Sequence, residues 1–354
     1  MHAALEERLG RLRCWFAREN DRPLLGFFPG SQYPLHRYKG ARRHLPDGRV
    51  GVEDVVVEDY LSDYEEQYRL HEEAGGDLVW SAAPFYGLPW VEAALGCGVT
   101  ADFETGSSRA EAPTEFAGEV RPFSEENPWV RKLGEFYAAL NARSRRRYPV
   151  GVTLMRGPAD LLSALYGGER FLFRMMEAPE EVKAAAERVT DFWIAFGKWV
   201  LAQVESFHGG TGAFFYSLWC PGETIWFQED ASALLSPALY EEFIEPCDRR
   251  IAESFEHTVV HLHPARFLPT GYLVRSAVSV IEIHRDRGGP SAEELEGEYR
   301  RVLEAKPLFI WGDLTEEDLA FVFRKLPHRG LAVNAVVRSA AEAGKLWERW
   351  ITGR

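Results

Sequence analysis

Thr258-Val-Val-His-Leu-His-Pro264 and Ala277-Val-Ser-Val-Ile-Glu-Ile-His284 decide how this chain is read. Each is a short run dominated by β-branched and apolar residues, which is the composition of a buried strand. Side chains in a strand alternate between its two faces. His261 and His263 therefore point to one side, and Glu282 and His284 do the same on their own strand. Metal-capable and proton-transferring groups at the ends of two otherwise apolar strands serve no packing purpose. With the strands as neighbours in a parallel sheet, the four groups meet at one end of it.

Working outward, six more apolar runs of strand length appear, at 23–29, 77–84, 150–155, 212–219, 307–311 and 330–337. Most are followed by segments with apolar residues at three- and four-residue spacing, the pattern of a helix packed on a sheet. Ser236-Pro237, Ser291 with Glu294, Thr315 and Ser339 supply helix-starting chemistry between them. Residues 220–230 read as a long loop. Near-continuous apolar strands alternating with helices imply a parallel sheet covered on its outer face, and eight repeats imply a closed α/β structure, the (β/α)8 TIM barrel. The whole chain, 1–354, reads as one such domain, with an N-terminal helix in 1–22 and an insertion at 85–126, after the second strand and near the barrel mouth. A GxGxxG, a Walker loop and a GxSxG are all absent, which turns the reading away from nucleotide-binding and serine-hydrolase folds.

Composition narrows the function classes. The chain carries 41 Lys and Arg against 54 Asp and Glu, a net charge of −13. Nucleic acid and anionic membrane surfaces both require a basic face, so neither is expected as a partner. The basic run Arg143 to Arg147 ends a predicted helix and reads as a solvated face. Four scattered cysteines without a CxxC pair suggest reduced thiols, and the charged, amphipathic N-terminus does not resemble a signal peptide. A cytoplasmic enzyme acting on a small molecule is the expectation.

In a barrel the chemistry lies at the C-terminal ends of the strands. Those ends carry Arg156, Tyr216 and Trp219, then the histidine cluster, then Asp313 and Asn334. Neutral imidazoles with a carboxylate suit zinc or another divalent transition metal, which assigns the metal to His261, His263, Glu282 and His284. Arg156, Tyr216 and Asp313 are assigned to catalysis. Trp219, Trp226, Asn334, and Arg37 and Tyr33 from the loop after the first strand, are assigned to substrate. Without a metal, the same histidines would act as general acid and base near neutral pH.

Several stretches resemble the uroporphyrinogen decarboxylase superfamily, which includes zinc-dependent methylcobalamin:thiol methyltransferases. They are Gly87-Leu-Pro-Trp-Val-Glu-Ala-Ala-Leu-Gly-Cys97, Gly157-Pro-Ala-Asp160, Met176-Glu-Ala-Pro-Glu-Glu-Val182 and, most specifically, Asp230-Ala-Ser-Ala-Leu-Leu-Ser-Pro-Ala-Leu-Tyr-Glu-Glu-Phe-Ile-Glu-Pro246. The resemblance spans roughly residues 75–350 and implies a (β/α)8 barrel. In the methyltransferase branch a His-x-Cys after the fifth strand and a later cysteine hold zinc, which activates a thiol. Here His261-Leu-His263 matches that pair with histidine in the cysteine's place, and residues 334–338 contain no cysteine. The decarboxylase branch grips its substrate with a Met-Arg-Gln-Ala-Gly-Arg-Tyr loop; the matching region reads Phe27-Phe-Pro-Gly-Ser-Gln-Tyr-Pro34. The resemblance implies zinc-type methyl or one-carbon transfer with a corrinoid methyl donor. A metal-free decarboxylase of a porphyrinogen-like or other polycarboxylate, and a non-catalytic tetrapyrrole- or corrinoid-binding barrel, are the alternatives. A corrinoid-protein partner and a homodimer are left open by the sequence.

Overall fold

The computed structural model describes residues 4–213 and 218–353. It is a mixed α/β structure built on a six-stranded parallel sheet with helices between the strands. In spatial order the strands are Leu24–Pro29, Leu331–Val337, Leu308–Gly312, Val280–Arg285, His257–Leu262 and Thr224–Gln228. The first and last strands of the chain are thus side by side, and from Thr224 onward each strand pairs with the next in sequence. The strands are buried almost throughout, as a parallel sheet covered by its crossover helices requires.

The two stretches that opened the reading are neighbours, with His261 in register with Glu282. Gln228 aligns with His261 on the other side, and His284 aligns with Trp311. Residues in register in a parallel sheet face the same way, so Gln228, His261, Glu282, His284 and Trp311 share the inner face. The intervening Arg285 faces outward, where it pairs at 3.1 Å with Asp318, the buried carboxylate that also closes the Thr315 capping box. One strand therefore sends its chemistry inward and anchors the next helix outward.

The other part of the predicted barrel is less regular. Residues 77–84 and 150–155 form no strand; they touch their neighbours through isolated bridges at Gly26–Gly76, Ala82–Val150 and Arg156–Gln228. Asp77 accounts for part of this, because its buried carboxylate receives the Leu25 N–H and two arginines, Arg11 and Arg22. Of the predicted strand at 212–219, residues 214–217 lie outside the described residues, and its two ends are corrected. Gly210–Gly212 pairs antiparallel with Trp219–Pro221, and the sheet strand here is Thr224–Gln228, inside the stretch read as a loop. Residues 85–126, read from the sequence as an insertion, contain the short helix Trp90–Ala94 and the antiparallel hairpin Gly98–Asp102 with Ser107–Glu111. Thr315, Ser236 and Ser339 cap helices as read. No helix among the described residues is long and apolar enough to cross a membrane.

Candidate metal centre

At the C-terminal ends of the strands the three imidazoles of His261, His263 and His284 stand 4.6–5.7 Å apart, centroid to centroid. His261 and His263 come from alternate positions of one chain segment and His284 from the adjacent strand, so the grouping follows directly from pleat and register.

Two carboxylates hold two of the rings from behind. Glu282, fully buried, bonds His261 Nδ1, and Asp286 bonds His263 Nδ1 at 2.8 and 2.9 Å. A carboxylate accepts, so each Nδ1 donates and each Nε2 points forward, as a lone pair whenever its ring is neutral. Both Nε2 atoms face Asp230 Oδ1, at 3.7 Å from His261 and 3.9 Å from His263. That oxygen is buried and makes no hydrogen bond. Its partner oxygen is held by the Gln228 amide. A tetrahedron with ligand bonds of about 2.0 Å has edges of roughly 3.3 Å, so a small contraction would place a cation among these three atoms. A buried carboxylate oxygen facing two imidazole Nε2 atoms suits a cation, which would take the place of a proton on one of the rings.

The electrostatics differ sharply between the rings. Burial holds His261 neutral, with its pKa lowered to about 3, and the neighbouring His263 adds to the effect. Burial also opposes charge on His263, but Asp230 and the hydrogen bond to Asp286 outweigh it and push its pKa up to about 9. His284 is lowered well below the ordinary histidine value by burial and by its two histidine neighbours. It packs on Trp311 at 4.5 Å and its Nδ1 has no hydrogen-bond partner, while its Nε2 lies 3.6 Å from Asp286.

These groups open into a cavity of about 250 Å³ whose lining includes Tyr33, Arg156, Gln228, Asp286 and Trp311 as well as the three histidines. Arg156 donates to Glu92 at 2.7 Å; Glu92 is buried and lies on the Trp90–Ala94 helix, so the ion pair ties the inserted segment to the cavity wall. Burial works against the Arg156 charge, but Glu92 and then Asp160 more than restore it. Asp160 in turn receives the backbone N–H groups of Asp230 and Ala231, at 3.1 and 2.7 Å, and fixes the loop that carries the candidate ligand. Gly157 permits this close packing, since a Cβ there would lie 2.1 Å from Glu229 Oε1.

The structure sorts the residues singled out from sequence. His261, His263, His284, Arg156 and Tyr33 come together at the cavity. Glu282 stands behind His261 rather than at the cation position, and Asp230 stands where Glu282 was placed. Asp313 does not line the cavity but receives Gln32, which does, at 3.1 Å. Arg37 is spent elsewhere: its guanidinium bonds the carbonyls of Pro29 and Ser31 and the Gln67 side chain. Trp219 is buried against Phe207 and the Arg13 guanidinium, away from the cavity lining. Trp226 and Asn334 face inward on their strands but are fully buried outside that lining. Tyr216 lies outside the described residues. The sequence reading missed Asp230, Asp286, Gln228 and Trp311. Asp286 carried a signal, since it extends the alternation Glu282, His284 by one more step.

No protein-family model matches this sequence, and a search of curated proteins also finds no match. Among solved structures, a methyltransferase from Methanosarcina mazei is similar, with a TM-score of 0.63 at 11% identity, the match covering 96% of this chain and 95% of that one. That likeness is one of fold.

Proposed function

We propose that this protein is a metal-dependent enzyme of the uroporphyrinogen decarboxylase-like superfamily, moving a methyl or other one-carbon group on a small molecule. The observation that carries the proposal is the convergence of His261 Nε2, His263 Nε2 and the unpartnered Asp230 Oδ1 at the wall of a cavity. The fold of the Methanosarcina methyltransferase supports it, as does the placement of the site at the C-terminal strand ends. On this reading the sheet closes into a (β/α)8 barrel through residues 77–84 and 150–155, whose bridges run between the first strand and Thr224–Gln228.

A divalent cation held by Asp230, His261 and His263 would supply Lewis-acid activation of a nucleophile near neutral pH. Glu282 and Asp286 fix the ring tautomers so that both Nε2 lone pairs are available, and Gln228 and Asp160 fix Asp230. His284, kept neutral and facing the cavity, is the group placed to take or return a proton at the substrate. Trp311 and Tyr33 form the organic walls. The resemblance noted above makes a corrinoid the methyl donor and a thiol the acceptor.

Two measurements test this. Purified protein from metal-supplemented cultures should retain about one equivalent of a divalent transition metal per chain, because the two three-donor groups of the described residues, Asp230 with His261 and His263 and His263 with His284 and Asp286, share His263. It should also demethylate methylcobalamin in the presence of a thiol, at a rate lost on Asp230→Asn. A metal-free preparation that decarboxylates a polycarboxylate and ignores chelators would replace this reading with the metal-free alternative.

A further inference from the structure

Arg156 is bound on one side only. Nη1 is held by Glu92, which is 1% exposed, whereas Nε and Nη2 make no hydrogen bond within the described residues and are not closed off from solvent. An arginine whose position is fixed by a buried carboxylate, with its second edge open to a cavity, is a ready fork for a planar oxyanion. Among the described residues, no other arginine and no lysine lines that cavity.

The surroundings are acidic, however. Asp160 and Asp230 act on the guanidinium in addition to Glu92, and Asp286 lines the same space. An incoming anion would meet those carboxylates unless one of them were engaged. Asp230 is the carboxylate whose free oxygen faces His261 and His263, so a cation at that position engages it and adds positive charge at the cavity wall.

Size limits the ligand further. At about 30 Å³ per water, a 250 Å³ cavity holds the volume of roughly eight waters, and it falls below the usual range for drug-sized ligands.

We infer that the cavity takes a small, carboxylate-bearing molecule whose carboxylate docks on the open edge of Arg156, and that it does so only when the cation position at Asp230 is filled. The inference rests on the metal-centre reading above and adds the substrate class and the binding order.

Calorimetric titration of the full chain, zinc-loaded or chelator-stripped, with butyrate and with the isosteric butyramide tests it. Zinc-loaded protein is expected to bind butyrate at least about tenfold more tightly than butyramide, and stripped protein to show a preference below about twofold. Arg156→Lys keeps a charge against Glu92 but loses the fork; it should retain zinc and lose at least about tenfold in butyrate affinity. If that variant does not fold, Arg156→Gln combined with Glu92→Gln removes the pair without stranding a buried charge, and should retain zinc while losing the preference. Equal affinity for the two probes on zinc-loaded protein, or butyrate binding that survives both Arg156 variants, overturns the inference and leaves the metal centre standing. Failure to bind zinc overturns both.

Discussion

The cavity has two walls, built in different ways. The histidine wall stands on regular parallel ladders, where His257–Leu262 and Val280–Arg285 lock each other's register and the alternation of side chains fixes every direction. The arginine wall stands on segments without a ladder: Arg156 joins Gln228 through one bridge, and Glu92 comes from a five-residue helix in an inserted segment. The difference teaches where each kind of chemistry is placed. A cation site needs donors held to fractions of an ångström, which neighbouring strands supply. Substrate contacts tolerate looser support and sit on the variable segments around the mouth.

That contrast predicts unequal consequences. The largest belongs to the histidine wall: Asp230→Asn or His261→Ala should reduce retained metal below about 0.1 equivalent, because each removes a donor of the Asp230, His261 and His263 group. Elemental analysis of folded variants checks this, and full retention by either would show that the cation is held elsewhere. Next comes Glu282→Gln, which keeps the shape but allows His261 to turn or change tautomer. Metal affinity should fall roughly 10- to 100-fold, measured by competition with a chromophoric chelator.

The pH dependence sharpens the same comparison. The free protein carries a proton on His263 up to about pH 9, and a cation must displace it. Metal affinity should therefore rise with pH by about tenfold per unit between the ordinary histidine value and pH 9, then level off, with one proton released per cation bound below that point. Calorimetry in buffers of different ionisation enthalpy counts the proton. A pH-independent affinity across that window contradicts the assignment of His263.

Far from both walls, His71 is fully buried, and burial lowers its pKa to about 4. A histidine kept neutral in the fold but free to protonate when unfolded makes stability fall as pH drops from about 6.5 toward 4. His71→Phe should flatten that part of the stability profile without altering metal binding. The smallest effect belongs to Trp219, whose indole donates to the Phe207 carbonyl at 2.8 Å. Trp219→Phe should cost about 1 kcal/mol of stability through the lost hydrogen bond and leave metal affinity within about twofold.

The same two walls explain what could be read in the sequence. Period-two alternation announced His261, His263, Glu282 and His284, and cap chemistry announced Thr315 and Ser339, because both signals are local. Which of Glu282 and Asp230 faces the cation is not local. It depends on the loop after Thr224–Gln228 being drawn back by Asp160, some seventy residues earlier. That strand was itself hidden, since Thr224-Ile-Trp-Phe-Gln228 follows Pro221-Gly222-Glu223 directly and falls inside the stretch read as a loop. Arg37 shows the opposite error: an arginine in a polar loop looked free for substrate, but the loop's own carbonyls claim it.

X-ray absorption spectroscopy of the zinc-loaded protein distinguishes a sulfur-free cation position among His261, His263 and Asp230 from any other. The expected coordination sphere is of nitrogen and oxygen only, with the multiple-scattering signature of at least two imidazoles, lost in Asp230→Asn. A sulfur scatterer from any of the four cysteines, or a spectrum without imidazole that persists in His261→Ala, would contradict it.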